Sequence, residues 1–143
     1  MSVIPLVVLA LAGIYGLSRL RPRPRPKGLS PEHLAILRKY AIHYQRLGDG
    51  DKARFERIVA HFVHEKTWTG AGITMEEPMK VMISACAAQL LLGFPDVVLS
   101  HFERIIVYPQ AYRSVGTGRI HQGEVRPKAG LIIISWADFL QGY

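Results

Sequence analysis

One cysteine, Cys86, is all that the 143-residue chain carries. No internal disulfide can form, and no thiolate cluster can hold a metal. This usage suits a reducing compartment. Cys86 sits inside an apolar helical run and reads as a small buried hydrophobe rather than a nucleophile. Acidic residues are also few, 11 against 18 Lys and Arg, giving a net charge of +7. Arg19, Arg21, Arg23, Arg25 and Lys27 supply five of those charges, so residues 28–143 carry only +2. So diffuse a charge is not the basic face that nucleic-acid binding needs, and no nucleic-acid partner is expected.

The histidines lack the spacing of a zinc peptidase helix. None of His33, His43, His61, His64, His101 and His121 is followed by Glu-x-x-His, the pattern that sets two imidazoles one turn apart around a metal ion. His61-x-x-His64-Glu65 approaches the inverted motif H-x-x-E-H but exchanges its last two residues. The pair is expected to be partly exposed helix histidines. A G-x-S-x-G turn is missing as well, so Ser135, Asp138 and His121 are not read as a hydrolytic triad, and Ser135 is expected to be a strand-capping hydroxyl.

Charge is lacking altogether from Met1 through Ser18, 18 positions that would span about 27 Å as a helix. The run has no basic start and no small-x-small cleavage site, so it is read as a retained transmembrane anchor, residues 1–18, rather than a signal peptide. Basic residues on its C-terminal side place the protein in the inner membrane as a single-pass chain with its domain in the cytoplasm. Membrane contact is assigned to residues 3–17. The Arg-Pro alternation of residues 19–29 reads as an extended spacer.

Ser30-Pro31-Glu32 opens a helix that the spacing of Leu34, Leu37, Ala41 and Tyr44 carries to about Leu47. After a Gly48–Asp51 turn, Phe55, Ile58, Val59, Phe62 and Val63 predict a second helix to about Lys66, antiparallel to the first. Thr67 to Gly72 reads as a loop, and Thr74-x-x-Glu77 as a capping box for a third helix. That helix, to Leu92, is apolar nearly all round and is expected to be the buried centre of the domain. Arg104–Tyr108 reads as a strand closed by Pro109, residues near Arg119 as a weak one, and Leu131–Ile134 as a buried strand because of its β-branched run. The fold class is therefore α+β: an N-terminal transmembrane helix, then a helical hairpin and a buried central helix packed on a small β-sheet, with the domain occupying residues 30–143.

Tyr108-Pro109, Gly123-Glu124, Gly130, Ser135-Trp136 and Asp138 recur in the order seen in the bacterial zinc-dependent peptidases of the Mlc titration factor A family, which the chain resembles over roughly residues 50–143. The resemblance implies a metallopeptidase (hydrolase) whose zinc sits on two histidines of a His-Glu-x-x-His helix plus a further ligand. The motif glutamate would activate a zinc-bound water, and the partner would be a peptide or protein substrate or a regulator. That helix would follow the Leu131 strand, and here the chain ends at Tyr143. The expectation is an N-terminal, truncated part of a membrane-anchored zinc peptidase, inactive as it stands, with no catalytic, cofactor or metal residue of its own. The competing reading is a non-catalytic membrane-anchored binding or scaffold module. Leu131, Ile132, Ile133, Ile134 and Ser135 are the candidate site residues, as an edge strand that holds extended substrate through backbone hydrogen bonds.

Overall fold

Ser30 caps the first helix as its place before Pro31 predicts. In the computed structural model, which describes residues 27–94 and 99–143, its hydroxyl accepts from the His33 N–H at 3.2 Å, and His33 Nδ1 accepts from the Ser30 N–H at 3.4 Å. A histidine thus fills the place usual for Glu in a capping box. Helix α1 (Pro31–Tyr40) breaks at Ala41, and a short turn α2 (Ile42–Gln45) follows. The break carries Tyr44 inward against Phe55, ring centroids 5.5 Å apart, where its hydroxyl donates to Glu56 at 2.6 Å.

Helix α3 (Asp49–Glu65) buries Phe55, Val59, Phe62 and Val63 on the expected face. The expected hairpin is held indirectly: α1 and α3 pack chiefly on α4 (Glu77–Leu91) rather than on one another. Helix α4 is central, as its composition predicts, and Val81 and Ala88 are fully buried. Two expectations about it change. The Thr74 capping box does not form, because the helix starts after Glu76, which takes the N-cap position without a side-chain cap. Nor is α4 covered all round, since Cys86 and Ala87 are half-buried while Gln89 and Leu90 are exposed.

Residues 67–70, expected in a loop, form strand β1 (Thr67–Gly70), which pairs in parallel with β2 (Arg104–Tyr108). A two-stranded hairpin, β3 (Tyr112–Arg113) and β4 (Ile120–His121), precedes β5 (Gly123–Arg126) and β6 (Leu131–Ser135). The main sheet runs β1-β2-β6-β5, with β2 and β6 parallel and β5 antiparallel to β6. Ile105 and Val107 join Ile132 and Ile134 on the face turned to Phe62, Met79, Ile83 and Leu91. Leu131 and Ile133 pack with Ile106, Tyr108 and Tyr112 on the other face. Both faces of β6 are therefore covered over part of its length, which is why its sequence is a continuous apolar run and not an alternation.

Gly130 sets the start of β6. Its φ of +60° is left-handed, and a Cβ there would lie 2.6 Å from the His101 carbonyl oxygen. Its own carbonyl accepts from the Arg104 N–H at 3.1 Å, the first rung between β2 and β6. At the other end Ser135 caps α5 (Trp136–Gly142), accepting from the Asp138 N–H at 3.4 Å and donating to the Asp138 carboxylate.

The α+β architecture stands, but its N-terminal transmembrane helix must be withdrawn from the fold. Among the described residues no helix is long and apolar enough to cross a membrane, and the 1–18 segment to which it was assigned lies outside them. Helix α4, the most apolar, has 15 residues and is about 22 Å long, short of a hydrocarbon core of about 30 Å.

Candidate functional site: an apolar groove beside an open strand edge

The candidate strand Leu131–Ser135 lies inside the sheet. Its backbone pairs with β2 on one side and β5 on the other, so its hydrogen-bonding groups are already engaged. The terminal strands of this sheet are β1 and β5. Ser135 is fully buried, and its N–H donates to the Gln122 carbonyl at 2.8 Å while its hydroxyl serves α5. The capping role read for this hydroxyl is what the geometry gives, applied to the helix that follows the strand.

Beneath the β5–β6 end of the sheet lies a groove of about 640 Å³. Helix α4 contributes Ala87, Leu90 and Leu91, the sheet contributes Val125, Ile132 and Ile134, and Phe102 and Phe139 join the lining. Its apolar side chains are incompletely covered: Leu90 is 71% and Val125 57% exposed. The cause is the sheet's width against the helices below it. Helix α4 covers Ile105 and Val107 of β2 almost completely, but Ile132 and Ile134 of β6 remain half-buried. Trp136 and Phe139 of α5, stacked with centroids 5.4 Å apart, are half-buried alongside.

The opposite face of β5 is polar and tied down. Glu124 and Arg126, two residues apart on that face, form an ion pair at 2.7 Å, and Arg126 also donates to the buried Ser114 hydroxyl at 2.8 Å. The Arg126 guanidinium holds the Glu124 carboxyl below its ordinary range. Tyr112, stacked on Tyr108 at 4.5 Å, has a buried hydroxyl with no hydrogen-bond partner among the described residues. Burial first, and then the Glu124 charge, pushes its phenol up. The β3–β4 hairpin is thereby fastened to the edge strand.

The histidines are dispersed. His33 bonds Glu77 at 3.1 Å, His64 bonds the Gly28 carbonyl at 3.0 Å, and His121 bonds Thr117 at 2.7 Å. The His101 ring lies tilted against Phe102, centroids 4.1 Å apart. His61 points a buried Nε2 at no hydrogen-bonding group among the described residues, and burial, with help from Lys66, lowers its pKa. His61 and His64 are both half-buried on α3. No group of three or more His, Cys, Asp or Glu among the described residues is placed to hold a metal ion, so these residues do not fit zinc. Cys86 is half-buried on the uncovered side of α4, and burial pushes its thiol up, away from the reactive thiolate.

A parallel sheet backed by a long apolar helix, with an antiparallel edge strand and an open apolar groove, is the setting in which the family motifs now sit. The chain belongs to the glucose-regulated metallopeptidase M90 family, whose model matches residues 18–143. No curated protein and no solved structure matches it. The membership agrees with the resemblance to the Mlc titration factor A peptidases drawn from Tyr108-Pro109, Gly123-Glu124, Gly130 and Ser135-Trp136-x-Asp138. Sequence reasoning missed β5 as the edge strand. The alternation in Gly123-Glu124-Val125-Arg126, with Glu and Arg on one face and Val on the other, was the available signal.

Proposed function

We propose that this chain is the scaffold portion of a zinc-dependent peptidase, with the zinc ligands carried on a helix outside residues 1–143 that seats in the groove between α4 and the β5–β6 end of the sheet. The observation that carries the reading is this groove, apolar and incompletely covered by the described residues, directly under an edge strand in a chain of a metallopeptidase family. A helix with one apolar face would bury Leu90, Val125, Ile132 and Ile134 together. Its other face would be free to present metal ligands toward β5. An extended peptide substrate would then add to the outer edge of β5, using the backbone groups that β6 leaves free. The same part of the sheet that was read as the substrate strand is involved, moved one strand outward.

The test is metal binding. The 143-residue chain, dialysed against zinc at neutral pH, is expected to hold no stoichiometric metal and to cleave no peptide, while the same chain extended by a His-Glu-x-x-His segment of its own gene would hold one zinc. Stoichiometric zinc in the 143-residue chain, lost on changing His61 and His64 to Ala, would overturn the assignment. An extension that brings neither zinc nor activity would favour a non-catalytic module.

A further inference from the structure

Helix α3 has a second functional-looking face, turned away from α4. Arg54, Arg57, His61 and His64 follow one another at spacings of three, four and three residues, so all four lie along one side. The buried residues Phe55, Val59 and Phe62 lie on the other. The chain enters the domain along this face: Lys27, Gly28 and Leu29 form one wall of a shallow groove of about 580 Å³, whose other wall includes Arg54, Arg57 and His61. The Gly28 carbonyl is held there by His64 at 3.0 Å.

Among the described residues no ion pair takes up the charges of Lys27, Arg54 or Arg57; the pairs there are His33–Glu77, Lys80–Glu77 and Glu124–Arg126. Lys27 and Arg57 are exposed. The acid in the groove wall, Glu56, accepts the Tyr44 hydroxyl at 2.6 Å, and Asp51 and Glu65 stand toward the two ends of the helix. The sequence that leads to Lys27 adds Arg19, Arg21, Arg23 and Arg25 without an acidic residue.

We propose that this basic face of α3, with Lys27, is a docking surface for an anionic phospholipid bilayer, on which the domain rests through headgroup phosphates. Guanidinium groups one helical turn apart suit phosphate oxygens, which accept paired N–H donors from Arg. Each Lys or Arg held at an anionic bilayer surface contributes about 1 kcal/mol, and Arg54, Arg57 and Lys27 supply three such groups on this face. The face is shallow and open, which suits a plane of phosphates better than one enclosed anion. Among the described residues no Phe, Tyr or Trp lines it to stack on bases, which disfavours nucleic acid. The contact is peripheral, and it leaves the α4 groove and the β5 edge on other surfaces of the domain. It stands independently of the peptidase reading.

The experiment is flotation of the full chain with phosphatidylcholine vesicles, with and without phosphatidylglycerol, at low and high salt. The expected result is binding at least about tenfold stronger to the anionic vesicles, weakened by salt, and reduced at least about tenfold in the Arg54→Glu/Arg57→Glu double variant, whose thermal melt is unchanged. Because residues 1–27 are the same in both proteins, that loss belongs to α3. Equal binding to both vesicle types, or anionic binding that the double variant leaves intact, would overturn the proposal. So would a DNA duplex or inorganic phosphate that binds the face more tightly than the vesicles do and with the same dependence on Arg54 and Arg57. A double variant with a lowered melt is replaced by Arg57→Gln at the exposed position, with a loss of about fivefold required.

Discussion

At the scale of single residues, Gly130 and Tyr44 are the positions where local chemistry decides most. Gly130 combines a left-handed φ with an approach to the His101 carbonyl that leaves no room for a methyl group. Gly130→Ala is expected to cost about 1–3 kcal/mol, read as a lowered denaturation midpoint with an unchanged slope. Tyr44 gives a pH signature. Its phenol is pushed up to about 12, by burial first and then by donation to Glu56. A raised phenol means that the folded state keeps a proton the unfolded chain loses near pH 10, so its contribution is complete below about 10 and fades as pH climbs toward about 12. The Tyr44→Phe variant is expected to lose about 1 kcal/mol at neutral pH and to show a shallower decline between about pH 10 and 12 in denaturant titrations. An equally steep decline would assign it to Tyr112 and Tyr143, whose pKa values are also raised. Gly130 was legible in the sequence as a family position, whereas the Tyr44–Glu56 bond was not, because it depends on a helix break at Ala41 that no Pro or Gly announces.

At the scale of elements, what could be read from the sequence tracks how strongly each segment is buried. Helix α3 and strands β2 and β6 follow their apolar patterns closely, since each buries most of its hydrophobic side chains. Strand β1, Thr67-Trp68-Thr69-Gly70, reads as a loop in the sequence: it ends in glycine, lies at the sheet's edge and buries no residue fully. Its identity comes from pairing with β2, a long-range contact invisible to local pattern. Helix α4 shows the converse. Its apolar sequence correctly marks it as central, yet the same sequence does not say that the side bearing Cys86, Ala87 and Leu90 is incompletely covered. The candidate strand was read on its burial, and burial on both faces is what an interior strand has. The edge strand β5 is short, half-exposed and charged, which is how sheets protect an edge from unwanted pairing.

At the scale of the whole molecule, two surfaces lie on either side of the helical layer: an apolar groove under the edge of the sheet and a basic face on α3. Family membership covers both, since the match begins at residue 18 and continues to residue 143. The metal chemistry of the family was legible from the sequence only as a His-Glu-x-x-His motif that none of the six histidines opens, and His33, His64 and His121 each bond a different partner. The central claim is that the α4–β5–β6 groove is a docking face for a helix and not a filled core. Titration with a hydrophobic fluorescent dye tests this in the folded 143-residue chain. Leu90→Glu and Val125→Glu place charges at two exposed groove positions without touching the buried clusters. The account predicts saturable dye binding under conditions where the chain melts cooperatively, weakened about tenfold or more in the double variant while the melt is retained. A folded chain that binds no dye, or binds it equally well with both glutamates in place, would contradict it.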